Sequence, residues 1–262
     1  MVKRLSFGII MLKRMFQEMK GILLMRCGKL CLMVLVLGFM SRSGLHAQHS
    51  SEELVIQAKA LVEKVKPENT SYRHKNNEVS WGTNGNAVCH ADCSGFINAL
   101  LLHTGTFKEK DFKNHLGTER PLARHYFDAI IHQRGFVEIT RIHEVKAGDI
   151  IAIRYPPGSS NTGHVMLVVN KPDSRTATEP MIKGTSQYEI QIIDSSTSGH
   201  GASDSRRMGD GKFHEGLGTG IFRIYTNEQG VFVGHAWSNY PSSKYQDIKA
   251  RHIVVGRVAN SN

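Results

Sequence analysis

Apolar positions along the chain follow two different periods. Behind Ser50-Ser51-Glu52-Glu53, which has the form of a capping box, Leu54, Val55, Ala58, Leu61, Val62 and Val65 recur at helical spacing. They predict a helix of three to four turns that ends before Pro67. A second helix starts near Cys93, buries Phe96, Ile97, Leu100 and Leu101, and stops at Gly105. A third starts at Pro121, a favoured first-turn residue, and sets Leu122, Tyr126, Phe127, Ile130 and Ile131 on one side before Gly135. From Phe136 onward the apolar residues come in short β-like runs, at 136–140, 150–155, 165–170, 188–194, 221–226, 231–236 and 252–258. The turn residues between them, such as Asn227-Glu228-Gln229-Gly230, favour antiparallel pairing. Helices first and strands afterwards predict an α+β fold with N-terminal helices packed on a mostly antiparallel sheet.

Neither a repeat nor a Pro-rich linker interrupts 48–262, which therefore reads as a single domain. Between its helical runs, 67–88 is polar, with Tyr72, Trp81, Asn84 and Asn86 as contributors to a cleft. The Gly-, Ser-, Asp- and Arg-rich stretch 195–220 predicts a mobile loop beside the sheet.

The first 47 residues have a different character. They are basic and end in the apolar run Leu30 to Met40 followed by Leu45-His46-Ala47, the order of a cleaved secretory signal peptide. The run is short for a bilayer span, with an uncleaved anchor as the alternative. An ordinary leader would begin at Met25, or at Met19. Charge changes meaning once this segment is set aside. The chain as a whole carries a formal +10, but eight of its Lys and Arg and one acid lie in 1–47, which leaves 25 basic and 22 acidic residues and a net +3. A nucleic-acid partner inferred from basicity is thereby excluded. Cys27 and Cys31 also belong to the leader, and Cys89 and Cys93 alone do not form a disulfide framework.

Cys93 lies where a polar loop turns into a helix, and a thiol at a helix N-terminus faces free backbone N–H groups and the positive end of the dipole. It is the candidate nucleophile. A cysteine nucleophile needs an imidazole and a third polar group to orient that ring. His164, in Gly163-His164-Val165 at a strand start, is the expected base, with Gly163 leaving room in front of the ring. Asp194, at the end of the run Glu189 to Asp194, is the expected orienting acid. His235 is an alternative imidazole. The backbone N–H of Cys93 is the natural oxyanion donor, with Asn86 or His90 as a second. Cys89, four residues before Cys93, is close enough in sequence for a silencing disulfide. The group Cys89, His90, Asp92 and Cys93 does not have common zinc spacing.

Asp92-Cys93-Ser94-Gly95-Phe96 resembles the Asp-Cys-Ser-Gly motif of the NlpC/P60 family of papain-like cysteine peptidases. Ala147-Gly148-Asp149-Ile150-Ile151 resembles the strand that precedes the family's histidine, and Gly163-His164-Val165 the strand that carries it. The resemblance covers about residues 70 to 195. It implies a papain-like fold with Cys93 as nucleophile, His164 as base and Asp194 as orienting residue. It also implies peptidoglycan peptides as substrate, their amide bonds commonly next to a D-amino acid, and no metal or cofactor. Asp194 stands thirty residues after His164, across an insertion at Lys171 to Gln187, where the family has about a dozen. An exported cysteine peptidase, periplasmic or surface-acting, is the resulting expectation. An amidase or acyltransferase using the same pair, and a cell-wall-binding protein without turnover, are its rivals.

Overall fold

The expected first helix forms over residues 51–64 (α1) in the computed structural model, which describes residues 51–82, 86–159 and 161–259. Ser50 of the capping box, the leader with Cys27 and Cys31, and Asn84 lie outside the described residues. Leu54, Val55, Ala58 and Leu61 are buried, as their spacing predicts, and Val62 and Val65 pack at the margin of the same core. After α1 come three strands that the sequence reading had treated as loop: β1 (Thr70–Ser71), β2 (Glu78–Ser80) and β3 (Val88–His90). β3 lies between the other two, parallel to β1 and antiparallel to β2. Strands of two or three residues are too short to show a hydrophobic period.

The helix that begins at Cys93 (α2, Cys93–His103) buries Phe96, Ile97, Leu100 and Leu101. A short amphipathic helix, α3 (Glu109–Leu116), follows with only Phe112 and Leu116 buried, and two apolar positions gave no helical signal. The helix expected at Pro121 starts two residues later, as α4 (Ala123–Ile131). There the His125 ring accepts the Leu122 N–H at 2.8 Å and caps the first turn.

The second half forms one antiparallel sheet from β4 (Phe136–Ile139), β5 (Ile150–Arg154), β6 (Gly163–Val168), β7 (Asp173–Ser174), β8 (Ser186–Ser196), β9 (Gly216–Thr226), β10 (Phe232–Ala236), β11 (Gln246–Asp247) and β12 (His252–Val258). Its order is β11-β10-β9-β8-β6-β5-β12-β4, with β7 on β8. The protein is thus a mixed α+β structure with mostly antiparallel pairing. Successive side chains leave a strand on opposite faces, and both faces here are apolar. Ile150, Ala152, Val165, Leu167, Ile193 and Val254 meet the helices, while Ile151, Ile153, Met166, Val168, Ile192 and Val255 form a second core on the far side. Asp149, at the entry to β5, is paired through Arg257 Nε at 2.8 Å to β12.

The expected loop at 195–220 is a different object. β8 runs on to Ser196 and β9 begins at Gly216, and the segment between them is fastened by the buried side chains of His200, Asp204 and Arg206. Counting charged and small residues in the sequence could not show that these polar groups pair with one another. Among the described residues no helix is long and apolar enough to cross a membrane.

Candidate active site

Cys93 is placed by an N-terminal cap and by ties to both sheets. Asp92 is the N-cap, and its Oδ1 accepts the Gly95 N–H at 2.7 Å and the Ser94 hydroxyl at 2.9 Å. Oδ2 of the same carboxylate meets His74 Nδ1 at 3.1 Å. Gly95 lies close under the Asn77 side chain, which would have to shift to admit a Cβ there. The loop ahead of the cap is held by Ala91 N–H donating to Ser71 O at 3.1 Å and by Ser195 Oγ donating to Ala91 O at 2.6 Å. The second bond links the cysteine loop to β8.

His164 and Asp194 meet across the neighbouring strands β6 and β8. The register Leu167↔Ile193 and Val168↔Ile192 puts Asp194 beside Met166, two residues along from His164 on the same face. Such a diagonal pair is within reach of long side chains. The contact is made between His164 Nε2 and Asp194 Oδ2 at 2.6 Å. Nδ1 is left free of Asp194, and Cys93 is near enough for its charge to act on the ring. The three residues expected from sequence therefore come together in the expected order. Asp194 does not end its strand, however, since β8 continues through Ser196. The role of Gly163 also differs from the expectation. Its φ is +145°, and a Cβ would collide with the Ile153 carbonyl, so glycine lets β6 enter the sheet against β5 rather than clearing space before the ring.

The electrostatics favour a protonated His164. Burial works against the charged ring, but the charge of Cys93 and the hydrogen bond and charge of Asp194 outweigh it and push its pKa up to about 10. Burial also works against ionised Asp194, and is overcome by His200, Arg206 and the hydrogen bond from His164, which hold the carboxyl well below its usual range. Beside the pair opens a cleft of about 170 Å³ walled by Tyr72, Tyr155, Asn161, Ser196 and Trp237. The Trp237 ring stands edge-on to His164 at 5.5 Å. Burial, then the charges of Cys93 and Asp92, raise the Tyr72 pKa, so its phenol stays a neutral donor.

Several sequence expectations find other places. Trp81 stacks on His103 at 3.8 Å and donates to Gln57 O, away from the cleft. His90 is bonded to Ser71 Oγ through Nδ1. Cys89 and Cys93 are both free thiols, and the disulfide that their sequence spacing would allow is not formed. The reason is that Cys89 sits in the middle of β3, paired on both sides, with its side chain in the core, where burial pushes its pKa up to about 12. His235, the alternative imidazole, lies on β10 beside Trp237. It is fully buried, stacks on Phe222 at 5.4 Å, and neither ring nitrogen has a partner.

Burial, with Arg251 and His164 nearby, pushes the His235 pKa down to about 3. In the unfolded chain it titrates near 6.5, so its contribution to stability is full above that pH and is lost as pH falls toward 3. His235→Phe should leave stability at pH 7.5 nearly unchanged. At pH 4.5 it should make the protein more stable than wild type by about 2 kcal/mol, as read from urea midpoints at the two pH values. Equal midpoints of variant and wild type at pH 4.5 would refute this.

His164, Asp194 and His200 are the described group whose donor atoms converge as metal ligands would, within 4.8 Å. Two ligands of one tetrahedral zinc stand about 3.3 Å apart. Here the nitrogens are 2.6 and 2.9 Å from one oxygen, and Arg206 occupies the other oxygen of the carboxylate. The arrangement fits hydrogen-bonded ions, and a cation in it would face a guanidinium.

Sequence reasoning missed His200, Asp204 and Arg206. A signal for them exists in Gly216-Leu217-Gly218-Thr219-Gly220, where alternate glycines strip one face of β9. Gly218 is paired with Asp194, and a Cβ on it would fall 2.7 Å from Arg206 Cγ.

No protein-family model matches the chain, and no solved structure matches it. A similar protein is the uncharacterized protein R653 of Acanthamoeba polyphaga mimivirus, 35% identical over 217 residues that make up 78% of this chain and 95% of the viral one.

Proposed function

This chain belongs to the same protein family as the mimivirus protein, and from the site it carries we propose that it is a papain-like cysteine hydrolase of NlpC/P60 type, cleaving amide bonds of peptidoglycan peptides. The observation that carries the reading is the convergence of Cys93 at the start of α2, whose charge acts on His164, with His164 on β6 hydrogen-bonded to Asp194 on β8. Nucleophile, base and orienting acid on three rigid elements make up the constellation that acyl transfer requires. The Asp92-to-Phe96 motif and a cleft lined by neutral polar and aromatic side chains support a peptide substrate. The leader pattern supports export to the periplasm or cell surface.

In the reaction, the Cys93 thiolate attacks the amide carbonyl carbon and the carbonyl π electrons move onto oxygen. The Cys93 backbone N–H, unpaired at the helix start, donates to that oxyanion, and the neutral Tyr72 hydroxyl supplies the second donor. As the C–N bond breaks, His164 gives its proton to the leaving amine and a thioester remains. His164, now neutral, takes a proton from water, whose oxygen attacks the thioester. Collapse releases the carboxylic acid and restores the thiolate and imidazolium. Asp194 holds the ring turned toward Cys93 throughout.

Incubation of residues 48–262 with purified muropeptides, followed by mass analysis, tests the proposal. Fragments that together exceed the parent by one water are expected, and they should vanish after iodoacetamide treatment. Intact muropeptides, or cleavage that survives alkylation, would reject it. Products joined to an added amine instead of water would point to the acyltransferase reading.

A further inference from the structure

The segment between β8 and β9 buries three ionisable side chains, His200, Asp204 and Arg206. Arg206 spans two carboxylates: Nη1 donates to Asp194 Oδ1 at 3.0 Å, while Nε and Nη2 donate to Asp204 at 2.9 and 2.8 Å. Asp204 Oδ2 in turn accepts the His200 backbone N–H at 2.6 Å. The His200 ring is placed between two oxygens. Nε2 is 2.9 Å from Asp194 Oδ2, the atom that His164 also uses, and Nδ1 is 2.6 Å from the Trp237 carbonyl. A carbonyl cannot donate, and a carboxylate held ionised by Arg206 does not, so both ring nitrogens carry hydrogen. β9 makes room for this, since a Cβ on Gly220 would fall 2.5 Å from His200 Cβ.

Every charged group around the ring then has a counterpart. Asp194 on β8, Asp204 in the segment itself and the Cys93 thiolate on α2 are balanced by His200, Arg206 and His164 on β6. His235 on β10, behind Trp237, is neutral. We infer that His200 is a positioning residue, an imidazolium that shares Oδ2 of Asp194 with His164 and so fixes both the place of the orienting acid and the charge felt by the reacting pair. Its ring lies 6.4 Å from that of His164. A unit charge at that distance, at an effective dielectric of ~20, moves a neighbouring titration by on the order of two pH units.

The inference rests on Cys93 and His164 being the reacting pair proposed above, and its test needs no peptide. Ring ¹⁵N spectra of the wild-type protein at pH 7.5 should show both His200 nitrogens protonated. The pH dependence of Cys93 alkylation by iodoacetamide is then compared in wild type, His200→Gln and His200→Ala. Gln keeps a donor to Asp194 and loses the charge, whereas Ala loses both. The onset of alkylation should move to higher pH by roughly one to two units in both variants. A neutral His200 in the spectra, or an onset that Gln leaves at the wild-type pH, would overturn the inference. Should the Ala variant fail to fold, the spectra and the Gln variant decide. A displaced onset together with intact muropeptides would strike the substrate assignment and leave the role of His200 standing.

Discussion

His164→Ala should lower kcat/KM for amide hydrolysis by about 10³- to 10⁴-fold. In the proposed reaction the ring has two tasks, holding the thiolate as an ion pair and protonating the departing amine, and neither has a substitute in the cleft. Tyr72 is a neutral phenol whose pKa is raised by burial and nearby negative charge, and His235 is buried with neither ring nitrogen bonded. The loss should fall mainly on kcat, because the walls formed by Tyr155, Asn161 and Trp237 stay in place. Groups that act as a unit are not additive in their effects. Adding Asp194→Ala to His164→Ala should therefore cost less than tenfold more, although Asp194→Ala alone is severe. Initial rates on the muropeptide cleaved fastest by wild type, with circular dichroism to verify folding, measure both. A folded His164→Ala within tenfold of wild type would remove His164 from the mechanism.

Arg206→Met should destabilise the fold by about 3–5 kcal/mol. The arginine is completely buried and provides donors to both Asp194 and Asp204. Methionine fills much of its volume and leaves two carboxylates facing each other with less compensation. Urea denaturation followed by tryptophan fluorescence gives the difference at pH 7. Its pH dependence identifies the cause. The folded-state pKa of Asp194 is depressed, so the stability it contributes is present above the ordinary carboxylate range and lost as pH falls through and below it. Arg206→Met forfeits much of that contribution, and the gap from wild type should narrow as the pH drops below about 4. A gap that stays constant with pH would mean that lost packing, not charge, is responsible.

What the sequence disclosed follows from which interactions are local. Helix spacing, the short apolar runs of 136–258 and the Asp92 cap with Cys93 behind it are set by neighbours in the chain, and all are legible. His164 was legible because a strand start beside glycine is a local feature. Asp194 could be named but its place in β8 could not, because strand length depends on the pairing with β9, which continues to Ser196↔Gly216. The small sheet around Cys89 has no period to detect, and its parallel β1–β3 pairing joins residues nineteen apart. Hardest to see was the buried cluster of His200, Asp204 and Arg206. In one dimension these are polar residues in a Gly- and Ser-rich stretch, and only their mutual pairing makes burial tolerable.

Ser195 and Asp194, adjacent on β8, project to opposite faces of the sheet: one binds the loop that carries the nucleophile, the other binds the base. The site is thus referenced to the register of a single strand and not to the length of chain between its members. The segment from Lys171 to Gln187 lies upstream of that reference point, so a change in its length would not by itself shift Asp194 along the strand against Ser195 and the loop it holds.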